Sequence, residues 1–155
     1  MIKQSPQVLL VDDNPADVEL VRVASAGGKY GTQIHSEENG EKALAYLRHM
    51  NQSGIAMPDL ILLDLNLPGK CGLEVLVEVK GDPNLCETPV VIFSSSQLQR
   101  DIRACYQAGA NCYVRKPGEL EEFFSTMRAI EEFWFESAWL PERDKNGNGS
   151  ERTSY

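Results

Sequence analysis

Four places in this chain carry side chains suited to handling a phosphoryl group, and each closes an apolar run. Asp12-Asp13 follow VLLV, Asp64 follows LILL, Ser94 ends PVVIFS, and Lys116 follows CYVR. Carboxylates gathered in one site repel one another unless a cation joins them. Oxygen-only donors in a small cluster suit Mg²⁺, which keeps several waters and prefers a site that a phosphate completes. A carboxylate beside that ion and an ammonium can act as a nucleophile and form an aspartyl phosphate. The ion and Lys116 would neutralise the phosphoryl oxygens in the transition state, and Ser94 could hydrogen-bond one of them afterwards.

Taken singly, each residue has a plainer reading. Asp13 or Asn14 could cap the helix that opens at Pro15. Asp12 could be a solvated strand end, and Asp64 a turn residue before Leu67-Pro68-Gly69. Ser94 lies in a run of three serines, and Lys116 could be a surface lysine. Four strand ends that all carry the right chemistry are a much rarer coincidence than any one of them.

These residues need elements to bring them together. Apolar runs at residues 8–11, 33–36, 60–64, 89–94 and 112–115 alternate with stretches of helical periodicity. Five strand-then-helix units predict an α/β fold, a five-stranded parallel sheet with helices on both faces. In the flavodoxin-like order 2-1-3-4-5, strands 1 and 3 are neighbours where the order reverses, and ligands bind outside their carboxyl ends. That order would bring Asp12, Asp13 and Asp64 together, with Ser94 and Lys116 on the other side.

The chain has 155 residues, 42% of them hydrophobic and 25% charged, as expected for one globular domain. Residues 1–141 are assigned to it. The polar stretch ERDKNGNGSERTSY, residues 142–155, is expected to be a disordered tail that leaves no room for an output domain. A net charge of −8 argues against nucleic acid, which needs clustered Lys and Arg. No apolar run is long enough for a membrane span or a signal peptide, so a cytoplasmic protein is expected. Cys71, Cys86, Cys105 and Cys112 have no metal-ligand spacing and read as structural thiols.

The segments VLLVDDN, LILLDLNLP, PVVIFSSS and CYVRKP resemble, in order and spacing, the signature segments of response-regulator receiver domains. The resemblance spans roughly residues 7–135. It implies a two-component phosphorelay protein with Asp64 as phosphoacceptor and Asp12, Asp13 and Asp64 around Mg²⁺. It further implies the backbone carbonyl of Asn66 as another metal ligand, Ser94 as switch hydroxyl, Lys116 as the site lysine and Tyr113 as an aromatic rotamer switch. Such a protein catalyses only its own phosphorylation and dephosphorylation. The stretch ELEEFFSTMRAIEEFWFESAWLP resembles the last helix of the small regulators paired with cyanobacterial phytochromes. Those imply a light-sensing histidine kinase as partner, a homodimer, and a downstream effector or phosphotransfer protein.

The extended C-terminal helix has its own pattern. Leu120, Phe123, Phe124, Met127, Ile130 and Trp134 form one stripe for the core. Phe133, Phe135, Trp139 and Leu140 are left over and predict a dimer interface, an isologous contact if symmetric. Folding back onto the body is the plainer alternative. A flavin-type phosphate site would be repelled by Asp12-Asp13, and an aspartyl phosphatase would want an acid where Asn66 stands. The remaining rival is a receiver-shaped adaptor that is never phosphorylated.

Overall fold

The computed structural model describes residues 4–142; the tail expected at 142–155 lies outside them, apart from Glu142. Five strands alternate with five helices: β1 (Gln7–Val11), α1 (Pro15–Ala26), β2 (Gln33–Glu37), α2 (Gly40–Gln52) and β3 (Leu60–Leu63). There follow α3 (Gly72–Gly81), β4 (Val90–Ser94), α4 (Gln99–Gln107), β5 (Cys112–Arg115) and α5 (Leu120–Glu132). All neighbours pair in parallel, in the order β2-β1-β3-β4-β5.

The central strands are buried on both faces, so their apolar residues divide by the two-residue period of a strand. Leu9, Val11, Ile61, Leu63, Val90 and Ile92 face α2 and α3, meeting Leu44, Leu47, Leu76 and Val79. Val8, Leu10, Leu60, Leu62, Val91 and Phe93 face the other way, onto Val21 of α1 and Phe123, Met127 and Ile130 of α5. Each face therefore has its own core, and both hold the same three strands rigid.

Helix starts follow the sequence signals. Asn14 caps α1, its Oδ1 accepting from the Ala16 N–H at 2.9 Å, with Pro15 in the first turn. Asn39 caps α2 through the Lys42 N–H. Beyond the end of α4, Gly109 takes φ +100°, a conformation that glycine adopts without steric cost.

Two helices differ from their expected faces. On α1 the apolar Ala16, Leu20, Val23 and Ala24 stand at helical spacing, yet the fully buried pair is Val21 and Ser25, while Val23 is exposed. The phase is set by α5, whose buried Glu131 takes a 2.9 Å hydrogen bond from the Ser25 hydroxyl. On α5, Leu120 belongs to the expected stripe but stands exposed at the first turn. Beyond Glu132 the helix widens into a π-helical turn, Phe133–Ser137, and Ala138 is extended. That wider turn rotates Phe135 inward, where it packs edge-on against Tyr30.

Candidate functional site

Strand register builds the site. Val11 pairs with Leu63, so Asp12 and Asp64 leave neighbouring strands side by side. The Asp64 N–H donates to the Val11 carbonyl at 2.9 Å, and the Asp12 N–H to the Glu37 carbonyl at 3.1 Å. Asp64 thus stands one residue beyond β3, where the expectation had it as the last strand residue. On the far side, Ser94 pairs with Arg115, and the Lys116 N–H donates to the Ser94 carbonyl at 2.9 Å. All four strand ends expected to meet do meet.

Gly72, the first residue of α3, lets that helix come close. A Cβ there would lie 2.1 Å from the Asp64 carbonyl oxygen, a rigid backbone atom. The β3–α3 loop therefore folds tightly over the site, and the Asn66 N–H donates to Asp64 Oδ1 at 3.2 Å. This holds Asn66 at the pocket, beside the Asp64 carboxylate.

Asp12 and Asp64 are buried and Asp13 is exposed, and a carboxylate oxygen from each of the three lies within 4.8 Å of the others. Lys116 Nζ donates to Asp12 Oδ2 at 2.7 Å, Asp64 Oδ2 at 2.8 Å and Asp17 Oδ2 at 2.9 Å. Burial alone would lower the lysine, but the bonds to Asp12 and Asp64 outweigh it and hold Lys116 above its usual value. Asp12 is pushed up by burial, against the pull of Lys116. One ammonium bonds three of the four acids gathered here, which leaves the pocket acidic. Hard oxygen donors at this spacing fit a Mg²⁺ or Mn²⁺ ion.

The hydroxyl side centres on the β4–α4 loop. Ser94 is buried, and its Oγ accepts from the Ser96 N–H at 3.3 Å. Tyr113 donates its hydroxyl to the Ser96 carbonyl at 2.8 Å, so its ring is already engaged under the β4–α4 loop. The Ser96 hydroxyl in turn donates to Asp101 at 2.6 Å. The loop between Ser94 and α4 is thus pinned from both ends.

Asp17 was absent from the sequence-based set. It sits in the first turn of α1, where an acid is expected for the helix dipole alone. A one-turn offset from Asp13 on a helix starting at the pocket was the available signal.

Of the four leftover C-terminal residues, the structure divides them. Phe135 is 9% exposed and part of the core, which corrects its assignment to an interface: the π-helical turn aims it inward. Leu140 is half-buried against the same core. Phe133 is 54% exposed and Trp139 is 99% exposed. The four cysteines are free thiols, and burial pushes Cys105 up to about 11.

A doubly wound α/β domain whose strand ends gather acids around a single lysine defines a class of phosphoryl-handling signalling module. The sequence profile of the response regulator receiver domain matches residues 8–128, and the chain belongs to that family. Response regulator Rcp1 of Synechocystis sp. is 38% identical over 135 residues, spanning 86% of this chain and 92% of Rcp1. The phosphorylated cyanobacterial phytochrome response regulator RcpA superposes with a TM-score of 0.84 at 41% identity, covering 90% of this chain and all 100% of RcpA. The Mn²⁺-bound form of Rcp1 gives 0.81 at 37% identity, covering 88% and 99%. The protein is accordingly a response regulator of two-component signalling, similar to phytochrome response regulators. Receiver domains bind Mg²⁺ or Mn²⁺ at an acidic pocket, and those of this type interact with sensor histidine kinases such as phytochromes. Among the described residues, no helix is long and apolar enough to cross a membrane.

Proposed function

We propose that this protein accepts a phosphoryl group on Asp64 from a phosphohistidine of a phytochrome-type sensor kinase, in a Mg²⁺-dependent reaction in the cytoplasm. The observation that carries this reading is the Lys116 ammonium bonded to Asp64 Oδ2 within a cluster of further acids. An Asp64 oxygen attacks phosphorus as the bond from phosphorus to the imidazole nitrogen breaks, and that nitrogen takes up a proton. Lys116 neutralises one phosphoryl oxygen as charge develops. A Mg²⁺ ion held by Asp12, Asp13, Asp64 and the Asn66 carbonyl would supply the remaining charge neutralisation.

Phosphorylation adds about −1.5 to −2 charges at pH 7. Ser94 then turns its hydroxyl from the Ser96 N–H toward the phosphoryl group. Because Tyr113 already holds the Ser96 carbonyl, the β4–α4 loop and the tyrosine move together. The α4–β5–α5 face changes with it, and any downstream partner must prefer one of the two states.

The same reading includes a homodimer. The exposed Trp139 and Phe133 support it, while Phe135 and Leu140 pack against the body. The test is sedimentation velocity with Mg²⁺, before and after adding beryllofluoride, a mimic of the aspartyl phosphate. Saturable, Mg²⁺-dependent binding that Asp64→Asn removes supports the phosphoacceptor. Binding retained by Asp64→Asn would move the site elsewhere.

A further inference from the structure

Lys116 carries three N–H donors and no acceptor. Every donor is in use: Asp12, Asp64 and Asp17 take one each, at 2.7, 2.8 and 2.9 Å. The three acceptors are not equivalent. Asp12 and Asp64 belong to the cluster spaced for a divalent ion, whereas Asp17 does not. An ion held by Asp12 and Asp64, and a phosphoryl group on Asp64, would draw on the same carboxylates that now hold the ammonium. Only the Asp17 bond is left undisturbed by that chemistry.

We infer that Asp17 is a positioning residue that keeps the Lys116 ammonium over Asp64 while the other two carboxylates are engaged. This rests on the reading of Asp64 as phosphoacceptor. The geometry suits the task. Asp17 sits in the first turn of α1, whose start is fixed by Pro15 and the Asn14 cap, so its backbone is held in place where its carboxylate meets Lys116. Its side chain is about a quarter exposed, while those of Asp12 and Asp64 are almost closed off. Asp17's second oxygen is therefore open to water while Oδ2 holds the ammonium. A helix-dipole acid would need only to point along the axis; this one points across the pocket onto the lysine.

A lysine anchored on one side presents its remaining N–H groups in a fixed direction, which is what stabilising an equatorial phosphoryl oxygen requires. An unanchored lysine on four flexible methylenes would swing to whichever acid was free. The anchor thus costs nothing in new charge contacts and removes wrong orientations.

Two readouts test this on the full chain. The first is the side-chain ammonium resonance of Lys116 in proton–nitrogen NMR, with and without Mg²⁺, which needs no phosphorylation. The second is the rate of phosphoryl uptake from phosphoramidate. In Asp17→Ala, the ammonium resonance is expected to persist without metal and to broaden away with Mg²⁺, and the uptake rate to fall about tenfold. Asp17→Asn keeps an oxygen acceptor without the charge, and should restore the Mg²⁺-loaded resonance and at least half of the lost rate on a logarithmic scale. Wild-type rate in Asp17→Ala, or an Asn variant as impaired as the Ala variant, would overturn the anchor and leave a charge effect. If the wild type itself takes up no phosphate, the reading of Asp64 fails, while the Mg²⁺-dependent NMR result still decides the anchor.

Discussion

The domain buries carboxylates at both ends of its sheet, and the two sites have opposite logic. At the strand C-termini, Asp12 and Asp64 meet the Lys116 ammonium. At the other end, where α1 runs into β2, Glu131 of α5 is buried, with the Ser25 hydroxyl donating to it at 2.9 Å and the Thr32 side chain beside it. Burial raises Glu131, and the Ser25 and Thr32 hydroxyls lower it only in part. The first site keeps charge in place with a dedicated cation; the second hides a single acid between two helices. Buried charge that is paired and left with spare acceptors is ready for chemistry. Buried charge with only neutral partners is a helix–helix joint whose cost depends on pH.

Removing the cation from the first site should have the largest effect. Lys116→Ala leaves the acids uncompensated, and a loss of about 4 kcal/mol is expected in urea melts of metal-free protein at pH 7. Mg²⁺ should still bind and should recover part of that loss, while switching by beryllofluoride is blocked. No destabilisation would mean that the acids are solvated or protonated, and the contrast between the two ends would vanish.

Gly72→Ala should come next. The new Cβ would meet the Asp64 carbonyl and the Leu65 backbone, neither of which can move without displacing the site, so a loss of about 3 kcal/mol is expected. Beryllofluoride affinity should drop with it. A stable Gly72→Ala protein with unchanged affinity would show that the β3–α3 loop is looser than its close approach implies.

Glu131→Gln sharpens the other end. A carboxyl whose folded value is raised binds its proton more tightly when folded. Its stabilising contribution is therefore full below the ordinary glutamate range and is lost as pH rises through the raised folded value. Glu131→Gln should raise the thermal midpoint at pH 7 and flatten the wild-type decline above pH 4–5. A variant melting below wild type at pH 7 would show that the charged form is the stabilising one.

Trp139→Ala should have the smallest effect on the protomer, within about 0.5 kcal/mol, because the side chain is 99% exposed. It should shift a dimer toward monomer in sedimentation. A large loss of protomer stability would place Trp139 against the body.

The upper end was legible in the sequence because strand ends are marked by abrupt changes from apolar to charged residues, and doubly wound topology fixes where those ends meet. Asp12, Asp64, Ser94 and Lys116 could be placed without any contact information. Asp17 could not, since a first-turn acid is explained locally by the helix dipole and its aim is set by tertiary packing. The lower end was harder to read for the same reason. Ser25 and Glu131 look like surface residues of amphipathic helices, and only their meeting across 106 positions makes them a buried pair. Periodicity also misplaced Phe135: a π-helical turn adds a residue and turns it inward, and nothing in FWFES announces it. Tryptophan fluorescence would follow this lower end, since Trp134 and Trp139 both lie there and neither touches the pocket.

The most direct measurement is intact mass after incubation with phosphoramidate and Mg²⁺, for wild type and Asp64→Asn. A gain of one phosphoryl group in the wild type is expected, labile to hydroxylamine as an acyl phosphate is, blocked by chelating the metal and absent from Asp64→Asn. A wild type that gains no phosphoryl group, or an Asp64→Asn protein that gains it equally, would contradict Asp64 as the phosphoacceptor.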